Sequence, residues 1–264
     1  MIKIRPLGIA DVHPFWNEKR KGKPVMPQHA EITEDPFPNI VMCAKKNKGK
    51  TTASIYIILK HLMTNFTELN VFSGDIKTDA NNKNAFQELG ENYPNNINVY
   101  KNLIDKDGNN LLQEKIAESD DLFNLENKEK YEYPRMIFYF DDLTEDELRC
   151  KDMDFLFKSN RHHGILDIMC IHNVKHVSPT VREQTNILIL FGGLSFPELD
   201  NVYKWVSPLM KKDVFMRVYT NATKKITEYD SVKKKEVVKD KNFLFINLDT
   251  KQMRVGLSKE IVVE

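Results

Sequence analysis

Residues 39–54 read NIVMCAKKNKGKTTAS, and this stretch decides the fold. The run from Ile40 to Cys43 has the continuous apolar character of a buried strand, and Thr52 to His61 has that of a helix. Between them lies Ala44-Lys45-Lys46-Asn47-Lys48-Gly49-Lys50-Thr51, a turn that opens a helix and so presents backbone N–H groups to an anion. In such a loop Gly49 allows close backbone approach, the Lys50 ammonium reaches the outer phosphates, and the Thr51 hydroxyl ligates Mg²⁺. Ala44 stands where the first glycine is usual, and Asn47 supplies a residue that tolerates the left-handed conformation. The competing reading is a lysine-rich surface turn. The strand before and the helix after favour a nucleotide loop, so residues Ala44 through Thr52 are expected to hold ATP with Mg²⁺.

A chain of 264 residues suits one α/β domain with additions. Its 41% hydrophobic and 29% charged residues are globular values. No apolar run approaches the roughly 18 residues of a membrane span, and MIKIRPLGIADVHPF lacks a signal peptide's apolar core, so a soluble, intracellular chain is expected. Cys43, Cys150 and Cys170 sit singly without metal-ligand spacing and read as reduced packing residues. A net charge of +1 excludes a uniformly basic coat, which leaves nucleic-acid contact to local patches such as residues 224–241.

Three regions follow. Residues 1–38, with prolines at 6, 14, 24, 27, 36 and 38, read as an extended arm. Residues 39–223 carry a βαβ rhythm: NVFSGD (70–75) and INVYKN (97–102) as short strands, a helical connection over 111–125, then the strand RMIFYFDD (135–142). A helix over 146–163, strands ILDIMCIHN (165–173) and NILILFGG (186–193), and a helical stretch broken at Pro208 complete it. Residues 224–264 read as a lysine-rich segment, with Lys233 to Lys235 at a solvated tip, and a β-hairpin packed on the domain, turning at Asp249 to Gln252. The class is α/β with a mostly parallel central sheet.

An apolar strand closed by Asp141-Asp142 is the second half of a nucleotide site. The first acid holds the metal shell, and the second can orient and deprotonate water. An ordinary strand end is the alternative, against which its place downstream of the loop argues. His162, His163 and His172 lack a Cys or Glu at ligand spacing, so no metal site is read there.

Phe140-Asp141-Asp142-Leu143, Asn160-Arg161-His162, Ile171-His172-Asn173 and Pro179-Thr180-Val181-Arg182 occur in an order that resembles the FtsK/HerA superfamily of DNA-translocating ATPases. Within it the chain is similar to the genome-packaging ATPases of poxviruses, giant viruses and virophages, over roughly residues 36 to 195. Asn160 stands where glycine is usual, and Asn173 where glutamine is usual. The resemblance implies a P-loop NTPase fold of RecA/FtsK type. It also implies an ATP-hydrolysing motor that drives viral double-stranded DNA into a preformed capsid as a ring of identical subunits, a pentamer or hexamer. Asn173 would be the γ-phosphate sensor with His172 as its neighbour, and Arg182 or Arg161 the cation reaching a neighbouring subunit's site, with a surface or ion-paired arginine as the alternative for each. Capsid-vertex or membrane proteins are further expected partners, and the infected cell's cytoplasm, the viral factory and the virion its expected places. Two other functions stay open on the sequence: a P-loop kinase acting on a small molecule, and a non-catalytic nucleotide-binding assembly module.

Overall fold

The computed structural model describes residues 2–7, 32–33, 35–64, 67–74, 90, 93, 96–125, 134–230, 235–240 and 242–263. In chain order the elements are β1 (Ile2–Pro6), β2 (Asn39–Cys43), α1 (Lys50–Ile57, continued by a π turn Ile58–Leu62), β3 (Glu68–Ser73), β4 (Ile97–Tyr100), α2 (Leu111–Leu125) and β5 (Met136–Asp141). Then come α3 (Glu145–Leu148), α4 (Lys151–Ser159), β6 (Ile165–Ile171), α5 (Pro179–Glu183), β7 (Ile187–Phe191), α6 (Phe196–Val206) and α7 (Lys212–Ala222). The chain closes with β8 (Ile226–Asp230), β9 (Lys235–Asp240), β10 (Phe243–Asn247), β11 (Met253–Val255) and β12 (Lys259–Val263).

One ten-stranded sheet runs β1-β12-β11-β10-β7-β2-β6-β5-β3-β4. The six strands from β7 to β4 are mutually parallel. Strands β2, β5, β6 and β7 are buried at every position, as apolar runs covered on both faces must be. Alternate side chains feed two cores. Ile40, Met42, Tyr139 and Ile168 pack with α1 residues such as Ala53, Tyr56 and Ile57. Val41, Phe138, Phe140 and Met169 pack on the other face with Phe157 of α4, Val181 of α5, Val202 of α6 and Phe215 of α7. After β2 the chain crosses to β3 on one side and only later reaches β7 on the other, so a crevice opens at the carboxyl ends around β2.

The tail is built into the sheet and not laid on the domain. β10 pairs antiparallel with β7, Phe243 opposite Phe191, and β11 and β12 extend the wing. The first residues of the expected arm are also sheet: Ile2–Pro6 pair with Val263–Lys259 and cover the β12 edge. Lys3, Arg5 and Pro6 on that exposed outer strand discourage further pairing. The prolines at 14, 24 and 27 and the lysines at 233 and 234 lie outside the described residues.

The expected helix over 146–163 is two helices. Thr144 and Glu147 close a capping box at α3, and Cys150 in extended conformation restarts the chain as α4. The break expected at Pro208 falls between α6 and α7. Inside β6, Asp167 is fully buried with neither carboxylate oxygen bonded among the described residues, and burial pushes its pKa well above the usual carboxylate range.

Candidate nucleotide-binding site

The loop after β2 leaves the sheet still tied to it, the Ala44 N–H donating to the Ile171 carbonyl at 3.1 Å. It then passes through two left-handed residues, Asn47 at φ 63° and Gly49 at φ 94°. Gly49 is the N-cap of α1, with no side chain accepting from the first turn and no acid within it. An L-residue at that φ would be strained, and here glycine is the residue that lets the loop turn into the helix. Lys45 is paired with Glu198 of α6, and the Lys48 side chain lies over Gly193, 3.1 Å from where a β-carbon would stand. Burial acts to raise the Glu198 pKa, and the Lys45 and Ser195 donors more than reverse it, so the carboxylate is held charged beside the loop.

The tip of β5 meets this loop. Lys50 Nζ lies 3.1 Å from Asp141 Oδ1, both side chains 8% exposed, and the Thr51 hydroxyl donates to Asp141 Oδ2 at 3.2 Å. The ammonium has three N–H donors, and one facing Asp141 leaves two for another acceptor. Burial acts to lower the Lys50 pKa, but the Asp141 and Asp142 carboxylates work against it and the ammonium stays protonated. Beneath, Tyr139 donates to Asp141 Oδ2 at 3.0 Å and accepts from the Ser54 hydroxyl at 3.1 Å. Burial pushes the Tyr139 phenol well above its usual value and the Cys43 and Cys170 thiols up to about 12. All three stay neutral, and Lys50 and Asp141 are the charged groups of this pair of elements.

Asp142, the next residue, is in the left-handed region at φ 56°. Its Oδ1 lies 2.8 Å from His172 Nε2, and His172 Nδ1 lies 3.0 Å from the Ala44 carbonyl oxygen. Asn173, the expected sensor, turns its side-chain oxygen to the Lys175 N–H at 3.0 Å and caps the 3₁₀ turn Val174–His176. The side chain spanning from the loop to Asp142 is therefore His172. Its signal lies in the register: Cys43 opposite Ile171 places Ala44 beside His172, a pairing that one sequence read in isolation does not display.

The two candidate arginines lie apart. Arg161 sits in the 3₁₀ turn Asn160–His162 that precedes β6, at the amino ends of the parallel strands and opposite the loop, 3.7 Å from Asp35. Arg182 on α5 faces Glu183 at 3.9 Å and lines a cleft of about 300 Å³ with Arg149, Lys175 and Lys204 over Trp205. Neither touches Lys50, Thr51, Asp141 or Asp142 among the described residues. The histidines are separate too: His163 meets Asp120 at 2.8 Å while His172 meets Asp142.

A family model described as the Poxvirus A32 protein matches residues 27–251, most of the chain. No curated protein sequence matches. Among solved structures, the genome packaging NTPase B204 from Sulfolobus turreted icosahedral virus 2 in complex with AMP is 14% identical, covers 84% of this chain and 98% of that chain, and gives a TM-score of 0.52. B204, the DNA-packaging ATPase from Sulfolobus Turreted Icosahedral Virus, is 16% identical over 84% of this chain and 97% of that chain, at a TM-score of 0.51. The pCW3 conjugation coupling protein TcpA, in its monomer form with ATPγS, is 14% identical over 90% of this chain and 70% of that chain, at a TM-score of 0.52. These likenesses establish the fold as that of the P-loop NTPases of FtsK type.

Proposed function

The chain belongs to the Poxvirus A32 protein family, and from that premise we propose that it is the ATP-hydrolysing motor that packages viral double-stranded DNA into a preformed capsid. The observation that carries this reading is the meeting of Lys50, Thr51 and Asp141 within 3.2 Å at the carboxyl ends of a parallel sheet. A buried ammonium with donors beyond the one that faces Asp141 suits the outer phosphates of ATP. The Thr51 hydroxyl and the Asp141 carboxylate form the hard-oxygen pair that suits Mg²⁺, which when bound would offset phosphate charge.

In this reading Asp142 accepts a proton from water as the water oxygen forms its bond to the γ-phosphorus and the bond to ADP breaks. Asn173 remains the residue proposed to answer to the γ-phosphate through the turn it caps. Arg182, among four cations of one cleft with Glu145 and Glu183 as their described acidic partners, is favoured over Arg161 to reach a neighbouring subunit's phosphates. A ring of five or six copies around the duplex follows, with phosphate-directed and salt-sensitive DNA contacts. Capsid-vertex or membrane proteins are its proposed docking partners. The infected cell's cytoplasm, its viral factory and the virion are its proposed places of action.

The test is ATP turnover with linear duplex DNA, with a nucleoside mixture, and with neither. The motor reading expects stimulation by DNA alone. Transfer of phosphate to a nucleoside would replace it with the kinase reading, and no hydrolysis at any protein concentration would replace it with a non-catalytic module.

A further inference from the structure

A β-strand alternates its side chains, so a continuation of β5 would put Asp142 on the face of Phe138 and Phe140, away from α1. The φ of Asp142 is 56°, where a parallel strand has about −120°, and that difference swings the Cα–Cβ bond about half a turn around N–Cα. The carboxylate thereby comes over to the α1 face, where His172 at the tip of β6 receives it at 2.8 Å. A non-glycine residue in this region costs roughly 1–2 kcal/mol, and such conformations persist where surrounding contacts fix them. The ring that receives Asp142 is held on its other side by the Ala44 carbonyl, the first residue of the phosphate loop. The Ala44 carbonyl can only accept, so the ring gives it the Nδ1 proton and turns Nε2 to Asp142 Oδ1.

We propose that His172 is the positioning residue for Asp142: its ring ties Oδ1 to the root of the phosphate loop and so fixes where Oδ2, the oxygen left for water, is aimed. The role of Asp142 as base is that of the proposed ATPase, and the inference rests on that reading. What it adds is a mechanical link. Any shift of the Ala44 carbonyl as the loop takes or releases phosphate is passed through one imidazole to the carboxylate, so the base is set by the loop's state. Asn173 takes no part in this link, since its side-chain oxygen is committed to the Lys175 N–H.

His172→Ala is expected to lower kcat about 10- to 100-fold, the cost of a misplaced catalytic group, while ATP affinity and KM change less than about threefold. His172→Gln, whose amide can donate to both acceptors, recovers most of that loss. Asp142→Asn combined with His172→Ala is no slower than Asp142→Asn alone, because both remove one unit. A wild-type kcat in His172→Ala, a loss carried by ATP affinity instead, or losses that multiply in the double variant overturn the proposal. The contact is also read without turnover: the ¹⁵N resonances of the His172 ring move on Asp142→Asn, and unmoved resonances overturn the proposal even if the wild type proves to be no ATPase. Should His172→Ala fail to fold, His172→Gln and these spectra decide the same question. A wild type that does not hydrolyse ATP while the resonances move would refute the ATPase reading and leave the tether standing.

Discussion

Lys50 and Asp141 are each 8% exposed in side chain, so either one without the other is a charge stranded out of water. Breaking such a pair costs about 3–5 kcal/mol. Lys50→Ala is therefore expected to lower stability by that order and to abolish the rise in Tm that MgATP gives the wild type. At about 100 Kd a ligand adds about 2.7 kcal/mol, which is roughly 5–10 °C for a chain of this size. Scanning fluorimetry with and without MgATP checks it, and an equal rise in the variant would remove Lys50 from the site. Asp167 makes a second residue-scale test. Its folded pKa lies well above the unfolded 3.8, so the stability it permits is complete below the unfolded value and is lost as pH rises toward the folded one. Asp167→Asn has no such titration. The stability gained by the variant over the wild type should be larger at pH 7.5 than at pH 4.5 by urea denaturation, and a gap independent of pH would contradict the neutral buried acid.

Among the elements, α5 is short and depends on its cap. The Ser178 hydroxyl accepts the Val181 N–H at 3.1 Å and donates to Asp154 of α4, joining the two helices. Ser178→Ala is expected to cost about 1–2 kcal/mol in denaturant while leaving ATP affinity unchanged, since the loop lies on another element. A shift in ATP affinity would mean that α5 and the loop are coupled. At this scale much was legible in the sequence. The runs 40–43, 136–141, 165–171 and 187–191 are apolar because both sheet faces are covered, and continuous apolar runs of that length read as buried strands. The Lys50, Thr51 and Asp141 grouping was legible for a related reason, since a loop and an acid at the carboxyl ends of two such strands converge. The break at Cys150 and the strand at Ile2–Pro6 were not. Both depend on tertiary choices, an extended Cys150 packed against the core and an open β12 edge that accepts a partner.

At the scale of the whole molecule, one chain supplies the loop and both carboxylates but no arginine in contact with them among the described residues. If a neighbouring copy brings Arg182, turnover per subunit rises steeply with protein concentration through the assembly range. A rate per subunit that stays flat from monomer to oligomer, followed with mass photometry, would contradict a shared site. His172 belongs to this scale as well, because its role depends on the pairing of β2 with β6, and distant strands declare their register only when folded.

The central claim is that a magnesium-bound triphosphate sits between Lys50, Thr51 and the Asp141-Asp142 tip, where Asp142 draws the proton from water. Equilibrium binding and single-turnover hydrolysis of ATP, measured side by side on the wild type and Asp142→Asn, test it most directly. The account predicts equal affinity and a hydrolysis rate at least about 100-fold lower in the variant. Hydrolysis at the wild-type rate by Asp142→Asn would contradict it.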